Sequence, residues 1–182
     1  GVELHAANGY LIDQFLQSTT NRRTDEYGGV IENRARLLLE ATDAAISVWG
    51  AGRVGVHLAP RGDSHTMGDH DPEATFGYVA KELGKRGIAF IFTREHFNAP
   101  ALTPQLKQSF GGTVIVNEQL TRESAQALLN AGIADAAAWG KQFIANPDLV
   151  ARLQENGPFN ELRTDVMYGG GETGYTDYPA LA

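Results

Sequence analysis

An α/β fold with a parallel sheet is predicted from the alternation of short β-rich runs with helical patterns, the rhythm of consecutive βα units. The punctuation agrees: helix-starting residues follow the apolar runs, and glycines close the helical stretches. The runs expected to form strands are 2–4, 53–58, 88–92, 113–116 and 134–139. Between the first two, 31–48 has the apolar spacing of a long amphipathic helix. A second helix is expected over 73–86, started by Asp71-Pro72 and stopped by Gly87. Asp accepts from the freed N–H groups, proline suits the first turn, and glycine suits the left-handed exit. A third spans 121–130, capped by Thr121 and closed by Gly132. Shorter helices are expected over 104–109 and 148–155. The segment after Gly157 is rich in Gly, Pro and Tyr, and its tyrosines, Tyr168, Tyr175 and Tyr178, favour an ordered loop over disorder.

A chain of 182 residues, 42% of them hydrophobic, suits one domain and can bury a sizeable core. No apolar run is long enough to cross a membrane, so a soluble, cytoplasmic protein is expected. The absence of cysteine excludes disulfides, thiolate metal sites and thiol nucleophiles. A formal net charge of -7 argues against a nucleic-acid or anionic-membrane surface, which needs clustered Lys and Arg. The first residue is Gly rather than Met, so the N-terminus is expected to be processed, excised or incompletely recorded.

Chemistry is concentrated at the start of the chain. There Val2-Glu3-Leu4-His5-Ala6-Ala7-Asn8-Gly9-Tyr10-Leu11 runs from an apolar strand into three hydrogen-bonding side chains. His5 and Asn8, at i and i+3, are expected on one side of a helical turn, where both donate to a single acceptor; Tyr10 adds an acidic hydroxyl. Two donors on one oxygen polarise it, and a phenol can deliver a proton to the carbon skeleton. The alternative is a His and an Asn that only stabilise a strand-to-helix turn. Further along, strand alternation puts Gly55, His57 and Ala59 on one face. The stretch His65-Thr66-Met67-Gly68-Asp69-His70-Asp71 has His and Asp at short spacing but no partner cluster, so a solvated loop is expected there and no metal site.

The segment Asn21-Arg22-Arg23-Thr24-Asp25-Glu26-Tyr27-Gly28-Gly29-Val30-Ile31-Glu32-Asn33-Arg34, together with Gln14-Phe15-Leu16 and with His5, Asn8 and Tyr10, closely resembles the old yellow enzyme family. These are the FMN-dependent ene-reductases. The pattern N-x-R-T-D-x-Y-G-G-x-x-E-N-R is long and specific, unlike a short phosphate-loop match. Further matches lie in Ile144-Ala145-Asn146-Pro147-Asp148-Leu149, in Tyr168-Gly169-Gly170-Gly171 and in Gly174-Tyr175-Thr176-Asp177-Tyr178-Pro179. The resemblance spans essentially the whole chain and is nearest to the bacterial branch that includes N-ethylmaleimide and nitrate-ester reductases.

A (β/α)8 barrel typically takes about 250 residues. The resemblance therefore implies that 1–182 is a partial TIM-barrel flavin oxidoreductase domain. It would be the C-terminal half of the barrel, from the end of barrel strand four through strand eight, with the N-terminal half absent. A companion segment or chain supplying barrel strands one to three is then expected. Without it, Val54, Val56, Ile88, Phe90 and Ile115 are expected to lack a full set of partners.

The implied activity is reduction of activated C=C bonds in enones and maleimides by NAD(P)H through FMN, with nitro compounds and nitrate esters as further candidate substrates. By resemblance His5 and Asn8 hold the substrate oxygen, Tyr10 supplies the proton, and Tyr175 lines the substrate side of the flavin. His57 stands where the family usually has Arg beside the pyrimidine end of the ring. A neutral imidazole still donates one hydrogen bond, but the fixed cation is lost, so flavin binding is expected to depend on pH near the imidazole pKa. Asn117 and Glu118 after one strand, and Gly140 and Lys141 after the next, are implied at the FMN phosphate. Lys141 would neutralise the phosphate, and Glu118 would offer its N–H with the carboxylate turned away. Asp25, Tyr27, Gly28, Gly29, Glu32 and Arg34 are expected to fix a turn rather than touch substrate, and Arg94, Glu95 and His96 to sit at the rim. Two alternatives stand beside this reading. One is another (β/α)8 enzyme that anchors a sugar or acyl phosphate on Lys141, and the other is a non-catalytic fragment that needs a partner segment.

Overall fold

The computed structural model describes residues 1–61, 64–97 and 100–181. Two compact units are present, Gly1–Ala137 and Ala138–Ala182. In the first, five strands form one parallel sheet in the order of the sequence. They are β1 (Val2–Ala6), β2 (Val54–Leu58), β3 (Phe90–Arg94), β4 (Thr113–Asn117) and β5 (Ala136–Ala137). Helices α1 (Leu11–Leu16), α2 (Ile31–Trp49), α3 (Pro72–Arg86), α4 (Thr103–Phe110) and α5 (Arg122–Asn130) lie between them in the chain. Parallel neighbours need a crossover, and α2 to α5 supply one for each pair.

The caps are those the sequence announces. Asp71 accepts from the N–H of Ala74 with Pro72 in the first turn of α3, and Gly87 leaves that helix in the left-handed conformation. Thr121 and Ser124 form a reciprocal capping box at α5. Helix α1 was not foreseen, and β5 is two residues long where six were expected. Three alanines in 136–138 offer little side chain to a pleated surface, and an edge strand has a partner on one side only.

The two faces of the sheet differ. Val54, Val56, Leu58, Ile91, Val114 and Val116 are fully buried in one cluster with Leu38, Phe76, Leu83 and Leu106 of the helices. The opposite face carries Phe90, Phe92 and Ile115, which are only partly buried. Val54, Val56 and Ile88 therefore do not lack partners as expected; alternation turns them under the helices, and only Phe90 and Ile115 of that group are left half-covered. On this second face Gly55 has no room for a side chain, since a Cβ there would lie 2.3 Å from Cζ of Phe90.

One buried ion pair ties the connecting segments together. Arg34 of α2 donates to Asp69 at 2.7 Å, to Thr75 of α3 at 3.1 Å, to the carbonyl of Gly29 at 3.1 Å and to the carbonyl of Leu16 at the end of α1. Asp69 also accepts from the N–H groups of Ser18 and Asp71, both at 2.9 Å. Burial alone would raise the Asp69 carboxyl, but the hydrogen bonds from Asp71, Ser18 and Arg34 outweigh it and hold the pKa below the ordinary value. The 65–71 loop is thus not simply solvated: Asp69 is an interior anchor. The segment 21–34 does fix a turn as expected, with Asn21 donating to the carbonyl of Tyr27 at 2.7 Å and Asn33 to that of Gly28 at 3.1 Å.

The second unit holds α6 (Lys141–Ala145) and α7 (Leu149–Glu155), followed by a segment without regular structure. The expected ordered loop is there: Arg163 pairs with Asp177 and packs 4.4 Å over the ring of Tyr178, whose hydroxyl accepts from the N–H of Arg163. No helix among the described residues is long and apolar enough to cross a membrane.

Because Asp69 is the counter-charge of a buried guanidinium, Asp69→Ala is expected to cost about 3–5 kcal/mol. Replacing both partners by apolar residues, Arg34→Met with Asp69→Leu, should cost clearly less. Urea unfolding followed by circular dichroism checks both, and an Asp69→Ala variant as stable as the parent would remove the pair from its structural role.

Candidate active site

The β1 strand delivers its residues in register with β2 and β3, so that His5, His57 and Phe92 stand level across the sheet, continued by Ile115 and Ala136. The rings touch in sequence: His5 to His57 at 5.0 Å between centroids, and His57 to Phe92 at 4.2 Å, both edge-on. Tyr10 closes the row from the other side, its ring 5.4 Å from that of His5. All of this lies toward the C-terminal ends of the strands, on the face away from the helices.

His5 and Asn8 do not share a helical turn, which corrects the expectation drawn from their spacing. His5 is the fourth residue of β1, whereas Asn8 and Gly9 adopt left-handed backbone conformations with φ of 59° and 75°. The helix begins only at Leu11, with Tyr10 as its N-cap and 58% exposed. This tight turn is built by residues that spacing did not single out. The buried carboxylate of Asp13 accepts from the N–H of Gly9 at 2.9 Å and from Gln17 at 2.8 Å. His65 places Nδ1 2.9 Å from the carbonyl oxygen of Asn8, which can only accept, so Nδ1 carries the proton. A Cβ at Gly9 would sit 2.8 Å from His65, so position 9 needs glycine for space as well as for φ.

His57 is the electrostatic outlier. Burial, then the electrostatic influence of neighbouring His5 and Arg94, pushes its pKa down to about 4. The imidazole is therefore neutral at pH 7, and the pH dependence expected near the ordinary imidazole value moves well below it. Nδ1 stands 3.7 Å from Glu3, too far for a hydrogen bond. Nε2 is buried without a hydrogen-bond partner, the one such side-chain atom among the described residues.

The strand ends contribute further polar groups. Arg94 at the end of β3 donates to Oδ1 of Asn8 at 2.7 Å and pairs with the carboxylate of Glu118 just beyond β4. Asn117 ends β4, level with Arg94. Glu118 and Gln119 have φ of 108° and 51°, so the chain turns sharply there. A pocket of about 300 Å³ opens beside them, lined among others by His96, Phe97, Glu118 and Thr121. Glu95 is not a rim residue as expected, whereas Arg94 stands partly exposed at the end of β3. Glu95 is 1% exposed and accepts from the N–H groups of Leu102 and Thr103 at 2.8 and 2.9 Å, fixing the start of α4. Arg94 is the functional candidate the sequence reading passed over; alternation in β3 from Phe90 and Phe92 already assigns it to the open face.

His5, Asn8, Tyr10, His57, Asn117 and Glu118 thus all belong to one end of the first unit. Gly140, Lys141 and Tyr175 belong to the second. There Gly140 caps α6, Lys141 is exposed in its first turn, and Tyr175 is 52% exposed.

Comparison with known proteins gives these residues a setting. The model of the NADH:flavin oxidoreductase / NADH oxidase family matches residues 1–160. The chain is 42% identical over 184 residues to the "Probable flavin mononucleotide-dependent alkene reductase" of Leishmania infantum, covering 100% of this chain and 50% of that one. Morphinone reductase in complex with tetrahydroNAD superposes with a TM-score of 0.95 at 46% identity, over 100% of this chain and 50% of that one. The old yellow enzyme homologue of Zymomonas mobilis does so with a TM-score of 0.95 at 42% identity, over 100% and 53%. The chain spans about half the length of the relatives it matches. By family model, sequence identity and fold alike, it belongs to the NADH:flavin oxidoreductase / NADH oxidase family, that of the FMN-dependent old yellow enzymes.

Proposed function

We propose that this chain supplies the C-terminal half of an FMN-dependent ene-reductase barrel, barrel strands four to eight. Residues 1–182 then form a partial domain that a companion segment with strands one to three completes. The observation that carries the reading is the row His57–His5–Tyr10 at the C-terminal ends of parallel strands, with Nε2 of His57 buried and unpartnered. A buried polar atom without a partner is costly unless something else satisfies it, and an acceptor on a flavin ring fits this one. The chemistry supplied by bound FMN is hydride transfer, from NAD(P)H to the β-carbon of an activated alkene such as an enone or maleimide.

The chain's own residues supply the rest. His5 and Asn8 donate to the substrate oxygen and stabilise the negative charge that develops on it. Tyr10 delivers the proton to the α-carbon as general acid. His57, neutral, donates or accepts a single hydrogen bond where a fixed cation is usual, so the site binds negative charge on the cofactor less strongly. In the first unit Asn117 and Glu118 offer backbone N–H groups to an FMN phosphate; in the second, Gly140 offers an N–H and Lys141 a counter-charge for such a group. The pairing of the Glu118 carboxylate with Arg94 supports this, because it neutralises the one charge that opposes a phosphate there. Tyr175 lines the substrate side. Membership of the family counts against the sugar-phosphate alternative; the non-catalytic fragment is decided by experiment.

Tyr10→Phe is expected to slow alkene reduction by about 10²–10⁴-fold, the usual contribution of a general acid, while reduction by NADPH changes little. Stopped-flow traces of the two half-reactions check this, and equal slowing of both would reject Tyr10 as the proton donor.

His57 has a folded pKa below its ordinary value, so between pH 6.5 and about 4 the unfolded chain binds more protons at this site. Its contribution to stability is therefore present above that window and lost as the pH falls through it. His57→Asn should lose less stability than the parent on going from neutral pH to the acid end of the window, as read by urea midpoints. Identical losses in both proteins would show that His57 is not held neutral.

The open sheet face and two sheet edges give the completeness of the barrel its own test. By native mass spectrometry, the isolated chain should associate or lose FMN, and a segment carrying barrel strands one to three should restore a flavin-loaded complex that reduces enones. A stable monomer with one FMN and full turnover would overturn the half-barrel reading.

A further inference from the structure

We propose that Arg94 is a positioning residue that fixes which end of the Asn8 amide faces the substrate oxygen. The inference rests on the reading of Asn8 as a substrate-oxygen donor. An asparagine amide has an accepting oxygen and a donating nitrogen at nearly equal reach, and nothing in the amide itself decides which one points into a site. A guanidinium decides it, because it has donors only. With Nη1 of Arg94 2.7 Å from Oδ1 of Asn8, the oxygen is engaged and Nδ2 becomes the end of the amide that can donate elsewhere. The polarisation runs the same way, since a cation on the oxygen draws charge from the nitrogen and makes its N–H a stronger donor.

The rest of the surroundings fixes both partners. The backbone of Asn8 is held by His65 on its carbonyl and by Asp13 on the following N–H, so the amide pivots from a fixed point. Arg94 is held by Glu118 on Nε, which anchors the guanidinium to the β4 exit and balances its charge. Side chains of the two are largely covered, 26% and 16% exposed, so the pair is little screened by solvent. Arg94 thus links the turn after β1 to the turn after β4 through charge-assisted bonds at both ends of one side chain.

The test is a double-mutant cycle in the flavin-loaded barrel that contains this chain, with p-hydroxybenzaldehyde as the probe and its flavin charge-transfer band as the readout. Asn8→Ala should weaken binding of the phenolate by about tenfold to a hundredfold, the loss of one hydrogen bond to a charged oxygen. Arg94→Met should weaken it comparably, and the double variant should be no weaker than Asn8→Ala alone, because Arg94 acts through Asn8. Arg94→Gln, which keeps a donor without the charge, should recover part of the loss, and only when Asn8 is present; it also carries the test if Arg94→Met fails to load flavin. If Asn8→Ala weakens binding but Arg94→Met does not, or the two losses add, Arg94 does not orient the amide and the proposal falls alone. If Asn8→Ala leaves binding unchanged, the role assigned to Asn8 falls and takes the proposal with it.

Discussion

The level pairing of β1 with β2 and β3 is what the candidate site depends on. Parallel strands joined by helical crossovers all end at the same edge, so residues far apart in the chain arrive side by side without any loop having to reach across. Once Val2 is opposite Val54, His5 must be opposite His57, and one more step of register puts Phe92 behind them. A slip of β1 by one residue would send His5 under the helices and bring Leu4 onto the open face, away from His57. The apolar residues between the site residues prevent that slip. Val54, Val56 and Leu58 fill the helix-facing core, and their burial holds the polar row in place from behind.

Much of the fold was legible because helix punctuation is local. Asp71-Pro72, Thr121 and Gly87 act within a turn of where they stand, and each helix they mark is where the sequence puts it. The family resemblance likewise rested on contiguous residues. What stayed hidden was non-local. The spacing of His5 and Asn8 suggested a helical turn, but the turn is made by left-handed Asn8 and Gly9, held by His65 from a loop far down the chain. Asp69 looked like a member of a polar loop because its counter-charge, Arg34, is thirty-five positions away. Glu95 looked like a rim residue for the same reason: the N–H groups it satisfies begin seven residues on. Arg94 could have been found from strand alternation alone, yet its acceptor Asn8 could not.

The electrostatics of the open face follow from how its charges are arranged. Arg94 is tied to Oδ1 of Asn8 and to the carboxylate of Glu118, whereas the two imidazoles stand ring to ring and Glu3 lies 3.7 Å from Nδ1 of His57, beyond hydrogen-bond reach. The neutral ring at position 57 comes first from its burial, and then from its neighbours His5 and Arg94.

The contact between Gly55 and Phe90 has an evolutionary reading. Because the ring of Phe90 occupies the space a side chain at 55 would need, the two positions hold a single volume between them. A lineage that enlarges one must shrink the other, either in one step or through a destabilised intermediate, so the pair is expected to covary among relatives as large with small. Being adjacent in the register on neighbouring strands, they would also appear to a coevolution method as direct evidence that β2 lies beside β3.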